Sequence, residues 1–335
     1  MLFQNAWRLL TENFKNVYKI ALYKIIVTLI STAVTVAIIL PALVEIVNSA
    51  PVQVFLGNVK EFFIALFAAD GKALTEVKEQ IFATDGSLHN VFVLITSKTG
   101  EIVLAIVGCA LVYLVKRFIE TVCYFAVGNV LNDKMTTYAD TPLRTSLVAN
   151  LGKASVYAAV YVPVVFLFDV LTLGVVVLLF YLLPVLASLF CSVTLIVLLQ
   201  ALKLTATGLW MPAMTADNKR LKNAIFPKDK FIKKQLSKYY GTYIIAVYLV
   251  IIVNIIAGVC TVGSALLLSV PASYMLFICL QYVYYYTAKG KKYFITYEKI
   301  ATNPDHGDRA HIFDYIDEVK TSENKQENFE NTEES

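Results

Sequence analysis

Six long apolar runs divide this chain, at about 25–46, 102–115, 155–170, 174–202, 241–261 and 264–286, and the gaps between them alternate in charge. The gaps at 1–24, 116–153, 203–240 and 287–299 hold 4, 5, 9 and 4 Lys plus Arg, whereas the turns at 171–173 and 262–263 hold none. Crossing about 30 Å of hydrocarbon takes roughly 20 apolar residues. Basic loops stay on the cytoplasmic side during insertion, so the alternation predicts six spans with both ends inside. With 58% of residues hydrophobic and 16% charged, a soluble globule could not keep this much apolar side chain from water.

The expected fold is therefore all-α: a polytopic membrane helix bundle, six transmembrane helices arranged as three hairpins, with interfacial amphipathic helices. Residues 1–24 form a cytoplasmic interfacial segment, 25–300 the six-span domain, and 301–335 an acidic, disordered cytoplasmic tail. The first run is longer than a signal-peptide core, and Pro51 follows the Asn48-Ser49-Ala50 site, so it reads as a retained anchor. Phe3, Ala6, Trp7, Leu10, Phe14 and Val17 make a helical stripe for the headgroup layer.

Residues 47–100 form the long external connection, with two predicted short helices, one through Val52–Phe67 and one through Leu74–Phe82, broken at Asp70-Gly71. The second span is short before Lys116-Arg117. It is expected to begin near 92–98, hold those charges at the inner interface, and continue as a helix into the cytoplasm. Spans 3 and 4 are expected to turn at Leu171–Leu173 and spans 5 and 6 around Gly258–Ser264, with Pro163, Pro184 and Pro271 inside spans 3, 4 and 6. Tyr239, Tyr240, Tyr243, Tyr282, Tyr284, Tyr285 and Tyr286 read as an interfacial aromatic belt.

The three hairpins resemble copies of one unit. Their starts run from Asn13-Phe14-Lys15, Asn150-Leu151-Gly152-Lys153 and Gln235-Leu236-Ser237-Lys238 into tyrosines, and their returning spans end near Lys116, Gln200 and Gln281. Asn132-Asp133-Lys134 and Asp217-Asn218-Lys219 follow the first two. A true repeat would turn Lys116, Gln200 and Gln281 toward one interior near the cytoplasmic leaflet, as a polar vestibule or as interhelical bonding.

Chemistry-bearing residues are few. Asp169 is a carboxylate inside an outer-half apolar stretch, read either as a proton or cation site or, before Leu171-Thr172-Leu173-Gly174, as the cap of the next helix. Lys116 and Glu120 are i, i+4 partners able to neutralise one another, which leaves Arg117 to hold a lipid phosphate. Asn254 is expected to bond across helices. The five cysteines lie in or beside apolar runs without a CxxC, and the three histidines are scattered, so neither a disulfide framework nor a metal site is expected. No nucleophile-elbow, zinc-protease, phosphate-loop or dinucleotide fingerprint occurs, so no enzyme activity and no cofactor are expected.

The tail from 303 carries ten acidic and three basic residues, while the basic surplus sits beside the spans. Membrane lipids, anionic ones included, are the expected partners. A protein partner could dock on the tail through Ile312, Phe313, Tyr315, Ile316 and Val319. Nucleic acid is not expected, since no soluble basic domain is evident.

Ala6-Trp7-Arg8-Leu9-Leu10 with Asn13-Phe14-Lys15, and Trp210-Met211-Pro212 with Asp217-Asn218-Lys219, resemble stretches of uncharacterised six-span bacterial integral membrane proteins. These are similar in layout to the membrane domain of some glycerophosphodiester phosphodiesterases. The resemblance implies a lipid-facing role in the bacterial plasma membrane without hydrolysis, because the catalytic barrel of those enzymes has no counterpart here. Transport of a small solute or lipid through the vestibule is the alternative.

Overall fold

A computed structural model describes residues 2–68, 70–226, 230–297 and 299–301, with the backbone alone over 230–238. Nearly all of it is helical. In chain order the helices are α1 (Leu2–Glu12), α2 (Phe14–Val47), α3 (Ala50–Phe67), α4 (Gly71–Phe82), α5 (Ser87–Ser97), α6 (Thr99–Thr137), α7 (Leu143–Leu182), α8 (Val185–Thr207), α9 (Trp210–Ala216), α10 (Leu221–Ile225), α11 (Lys230–Cys260) and α12 (Leu266–Ala288). Two short antiparallel strands, β1 (Tyr293–Thr296) and β2 (Lys299–Ala301), follow. The expected acidic tail and the lysines at 228–238 lie outside the described side chains.

Two compact units result, one of residues 26–116 and one of the rest. In the larger unit the helices outgrow a bilayer. α7 has 40 residues, about 60 Å at a helical rise, twice the hydrocarbon thickness. Its second half, up to Leu182, leaves Leu167, Leu171, Leu173, Val177, Leu178 and Tyr181 exposed and buries Thr172, while its first half buries Ser146, Ala154, Tyr157, Ala158 and Val162. The same division marks α12, whose buried residues are Pro271 and then a run from Met275 to Ala288. The packed core is thus a collar at one end, formed by α1, α9, α10, β1 and the inner ends of α2, α6, α7, α8, α11 and α12. Outward apolar surface beyond the collar is what lipid, and not water, accommodates.

Four expectations change. First, α7 runs unbroken through 171–173, and the turn falls at Leu183-Pro184. Proline lacks the N–H to continue the ladder and drives its predecessor to extended backbone; Leu183 sits at ψ 152° and Pro184 at ψ 145°. Second, the tyrosines are not a lipid-facing belt: Tyr239, Tyr243, Tyr282, Tyr284, Tyr285 and Tyr286 are buried in the collar. Third, α1 turns Asn5, Ala6, Leu9 and Leu10 inward against the protein and leaves Trp7 exposed. Its partners are α12 and β1, so its apolar face is taken by the collar. α1 stops where the Asn13 side-chain amide donates to the Leu9 carbonyl at 2.8 Å, competing with the helix ladder. Fourth, the paired polar triplets differ. Asn132-Asp133-Lys134 lies within α6, whereas Asp217-Asn218-Lys219 is a turn with Asn218 at φ 52°.

Seven helices are long and apolar enough to cross a membrane, one more than the six runs; the addition is Ala50–Phe67. Parity decides its role. Lys24 Nζ lies 3.0 Å from the Tyr124 hydroxyl, so within the larger unit the start of α2 and the later part of α6 meet at one level. An even number of crossings separates these residues, and α2 and α6 supply two. α3 is therefore not a lone third crossing, and the 11-residue α5 spans only about 16 Å. Instead α3, α4 and α5 pack on one another through Ala65, Val77 and Ile81. The expected break falls at Asp70-Gly71, where Asp70 caps α4, accepting from the Lys72 and Ala73 amides at 3.1 and 3.2 Å. In this unit Lys98 Nζ pairs with Glu45 at 2.5 Å and Glu101 at 3.0 Å, and these bonds hold its ammonium above the usual lysine range.

The same parity holds from α1 to β1, since Asn5 of α1 donates to the Tyr293 hydroxyl of β1 at 3.0 Å. Three hairpins, α2/α6, α7/α8 and α11/α12, satisfy it. Asn254 clamps the last: its amide donates to Ser273 at 3.0 Å and its carbonyl accepts from Ser269 at 2.8 Å, satisfying polar groups that lipid could not.

Candidate functional site

At the level where the outward apolar surface of α2 begins, Lys24 meets α6. Its ammonium lies 3.8 Å from Glu120 Oε2, 3.0 Å from the Tyr124 hydroxyl and 4.0 Å from the centre of the Tyr274 ring. One helical turn before Glu120, Arg117 Nη1 approaches the same carboxylate oxygen at 4.0 Å and donates to the Tyr274 hydroxyl at 3.2 Å. Tyr124 and Tyr274 stack at 4.8 Å between centroids. The Tyr23 hydroxyl closes the α2–α6 contact by donating to the Ile119 carbonyl at 3.2 Å. Glu120 is only 3% exposed, while Arg117 keeps 32% of its side chain accessible. Two cations thus face one buried carboxylate, and the surplus charge reaches the surface.

This corrects the expected Lys116–Glu120 neutralisation. Glu120 pairs with Lys24 and Arg117, because the helix turns it toward α2, and Lys116 has no side-chain partner among the described residues. Arg117 is engaged by Tyr274 and Glu120, so any phosphate it holds adds to an existing network.

Asp169 likewise caps nothing. It lies mid-helix on α7, where its Oδ1 accepts from Lys203 Nζ at 2.8 Å and from Gln200 Nε2 at 3.3 Å, both on α8. Lys203 is 12% and Asp169 28% exposed. Side chains of a helix lean toward its N-terminus, which on α8 points Lys203 back at Asp169. Gln281, by contrast, is buried on α12 beside Gly208, its Cγ 3.3 Å from where a Cβ on that glycine would sit. The vestibule expected from Lys116, Gln200 and Gln281 is therefore not assembled from those residues: Gln200 serves Asp169, and Gln281 lines the collar.

The bundle thus holds two polar clusters, Lys24, Glu120 and Arg117 on α2 and α6 with Tyr274 on α12, and Asp169, Gln200 and Lys203 on α7 and α8. Tyr161 of α7 stacks on Tyr157 at 5.0 Å and lies edge-on to Trp210 at 6.4 Å. Sequence reasoning missed Lys24, Tyr124, Tyr161, Lys203 and Tyr274. Lys24 and Lys203 counted only as topology charges, although the Gln200–Lys203 spacing of three places both on one face of a helix.

Deeper in the collar, a second network ties the turn after α9 to α12 and its sequel. Asp217 accepts from Tyr285 at 2.5 Å and from Lys291 at 2.6 Å, with Lys219 at 3.6 Å. Burial raises its carboxyl, but the Lys291 and Tyr285 hydrogen bonds and the lysine charges outweigh this and hold it below the usual carboxylate range. Tyr286 donates to Asn132 at 2.8 Å, and Tyr282 and Thr215 share a bond of 2.6 Å. Burial pushes the Tyr293 hydroxyl above the usual phenol range. The Tyr243 and Tyr284 hydroxyls and the Ser192 hydroxyl are buried without a hydrogen-bond partner among the described residues.

All five cysteines are free, and no group of three or more His, Cys, Asp or Glu side chains converges among the described residues. Compared with protein-family models, curated proteins and solved structures, the chain matches none of them. The described residues define a multi-pass, almost wholly helical membrane-protein architecture with a packed collar and two polar clusters at its edge.

Proposed function

We propose that this chain is a non-enzymatic integral protein of a bacterial plasma membrane, collar inward, that binds or organises anionic lipid at the layer centred on Lys24 and Arg117. One observation carries the reading: two cations share a single buried carboxylate at the height where lipid-facing surface starts. A headgroup phosphate would sit at that height, and Arg117 retains exposed surface to meet it. The basic gaps support the inward orientation of the collar. The acidic composition of segment 301–335 would suit a protein partner.

Native mass spectrometry of the purified protein tests the proposal. Anionic lipid should be retained over zwitterionic lipid, and Arg117→Ala or Lys24→Ala should lower retention. No anionic preference in the wild type, or retention unchanged in both variants, refutes it.

A second reading, transport of a small solute or lipid, draws on the Asp169–Lys203–Gln200 cluster, a set of polar groups between two apolar helices. Flux into proteoliposomes that Gln200→Leu and Asp169→Asn abolish would favour it over static binding.

A further inference from the structure

The connection between α2 and α6 folds into an assembly of its own, and its helices present unlike surfaces. α3, α4 and α5 pack together around Ala65, Val77 and Ile81, and the Asn58 amide of α3 donates to the Ser87 hydroxyl at the start of α5 at 3.1 Å. α4 turns Lys72, Glu76 and Glu79 outward at i, i+4 and i+7, on the face opposite Val77 and Ile81. α3 and α5 do the reverse. Leu56, Phe63 and Phe67 recur at i, i+7 and i+11 along one face of α3, all exposed, Phe67 to 87%, and Phe92 and Ile95 are exposed on α5. An apolar face of this extent marks an interaction surface.

The ends of the assembly indicate what covers that face. From Ile26 to Val44 α2 carries no charged residue, a length of about 28 Å at a helical rise, close to one hydrocarbon thickness. Charge resumes at Glu45, which Lys98 binds at 2.5 Å while also reaching Glu101 at 3.0 Å. These three residues, from the end of α2 and the start of α6, mark the level where hydrocarbon gives way to headgroups. Only Asn48 and Ser49 separate α2 from α3, and only Lys98 separates α5 from α6. The assembly is therefore held at that level from both sides. The exposed apolar series of α2 runs on through Leu43, Val44 and Val47, and α3 resumes it at Val54 and Leu56. Upright in water, α3 would leave its apolar face bare; lying flat, it continues the lipid-facing surface of α2.

We propose that α3 and α5 lie in the acyl–headgroup boundary of the leaflet at this end of α2, with α4 above them in water, so that the assembly is a one-sided lipid-surface anchor. The inference goes beyond the anionic-lipid reading and uses none of its residues. Apolar area drives the docking, so zwitterionic lipid suffices, whereas the site at Lys24 and Arg117 calls for an anionic headgroup.

Depth-dependent fluorescence quenching tests it on the full chain in pure phosphatidylcholine liposomes. Phe67→Trp, Phe92→Trp and Glu76→Trp are each made together with Trp7→Phe and Trp210→Phe, which removes both native tryptophans. Lipid brominated near the glycerol end of its acyl chains should quench Phe67→Trp and Phe92→Trp by about half, and iodide on both sides of the membrane should barely touch them. Glu76→Trp should show the opposite pattern. If the native tryptophans cannot be removed without loss of folding, they are kept and the signal of the wild type is subtracted. Iodide quenching of Phe67→Trp and Phe92→Trp overturns the inference, because their face then stands in water. Quenching of both by neither agent also overturns it, assigning the face to a protein partner such as a second copy. Strong quenching of Glu76→Trp by brominated lipid overturns it too, since the whole assembly would then be immersed. Each of these outcomes leaves the anionic-lipid reading untouched.

Discussion

The Asp169–Lys203 pair predicts an unequal response to losing either partner. Asp169 lies 13 residues before the end of α7 at Leu182, about 20 Å below the α7–α8 turn. Lys203 lies 18 residues after Val185 at the start of α8, about 27 Å below the same turn. A lysine near the inner edge of a 30 Å apolar layer can swing its ammonium to the headgroups; an aspartate one-third of the way up from that edge is too short to do so. Lys203→Met therefore strands a carboxylate and should cost about 3 kcal/mol, the lower end for a broken buried pair because Asp169 keeps some exposure. Asp169→Asn leaves a lysine that can relocate, and should cost about 1 kcal/mol. The double variant should regain about 2 kcal/mol over Lys203→Met, because no charge is left stranded. Reversible unfolding of the four proteins in mixed micelles measures all three quantities. If Asp169→Asn costs as much as Lys203→Met, or the double variant is as unstable as the sum of the singles, the depth argument is wrong.

Two more predictions concern the collar and the last hairpin. The Asp217 carboxyl is held below its usual range, so its contribution is present above the unfolded value of about 3.9 and is lost as pH falls through the lower folded value. An acid titration followed by thermal unfolding should show that loss below about pH 4 in the wild type, and Asp217→Asn should flatten it; an unchanged acid limb would count against the network. Asn254→Leu should loosen the α11–α12 hairpin by about 0.6–1.7 kcal/mol, the range for interhelical hydrogen bonds in membranes, read as a lowered melting temperature. A neutral result would mean that Ser269 and Ser273 satisfy themselves on their own helix.

The spans were legible because apolar length is a local property, as was the helix break at Asp70-Gly71, where the break signal is two adjacent residues. The α7–α8 turn was misplaced because Asp169 interrupts an apolar run and so imitates its end, while its counterweight, Lys203, lies 34 residues away on another helix. Only the stop at Pro184 carried a local signal, and a proline within an apolar run has two readings. The tyrosines of α12 failed for a different reason. A phenol suits a membrane interface and a hydrogen-bonded core equally well, and what distinguishes them is whether partners such as Asp217, Asn132 and Thr215 are present. Glu120 was visible as a charge but not as a buried one, since Lys24 is 96 residues distant.

The seat of α1 against α12 and β1 has a temporal consequence. The Asn5–Tyr293 bond closes a separation of 288 residues, so the first helix to be synthesised has no resting place until the last span and the strand after it have been made. At a translation rate of about 5–20 residues per second, that wait is about 15–60 s. Throughout it Ala6, Leu9 and Leu10 lack their final cover, and α1 is free to lie on the bilayer as an amphipathic peptide would. Docking of α1 then marks the emergence of β1. Products ending before β1 should carry an unseated N-terminal helix, which gives cellular surveillance a local handle on an unfinished membrane protein.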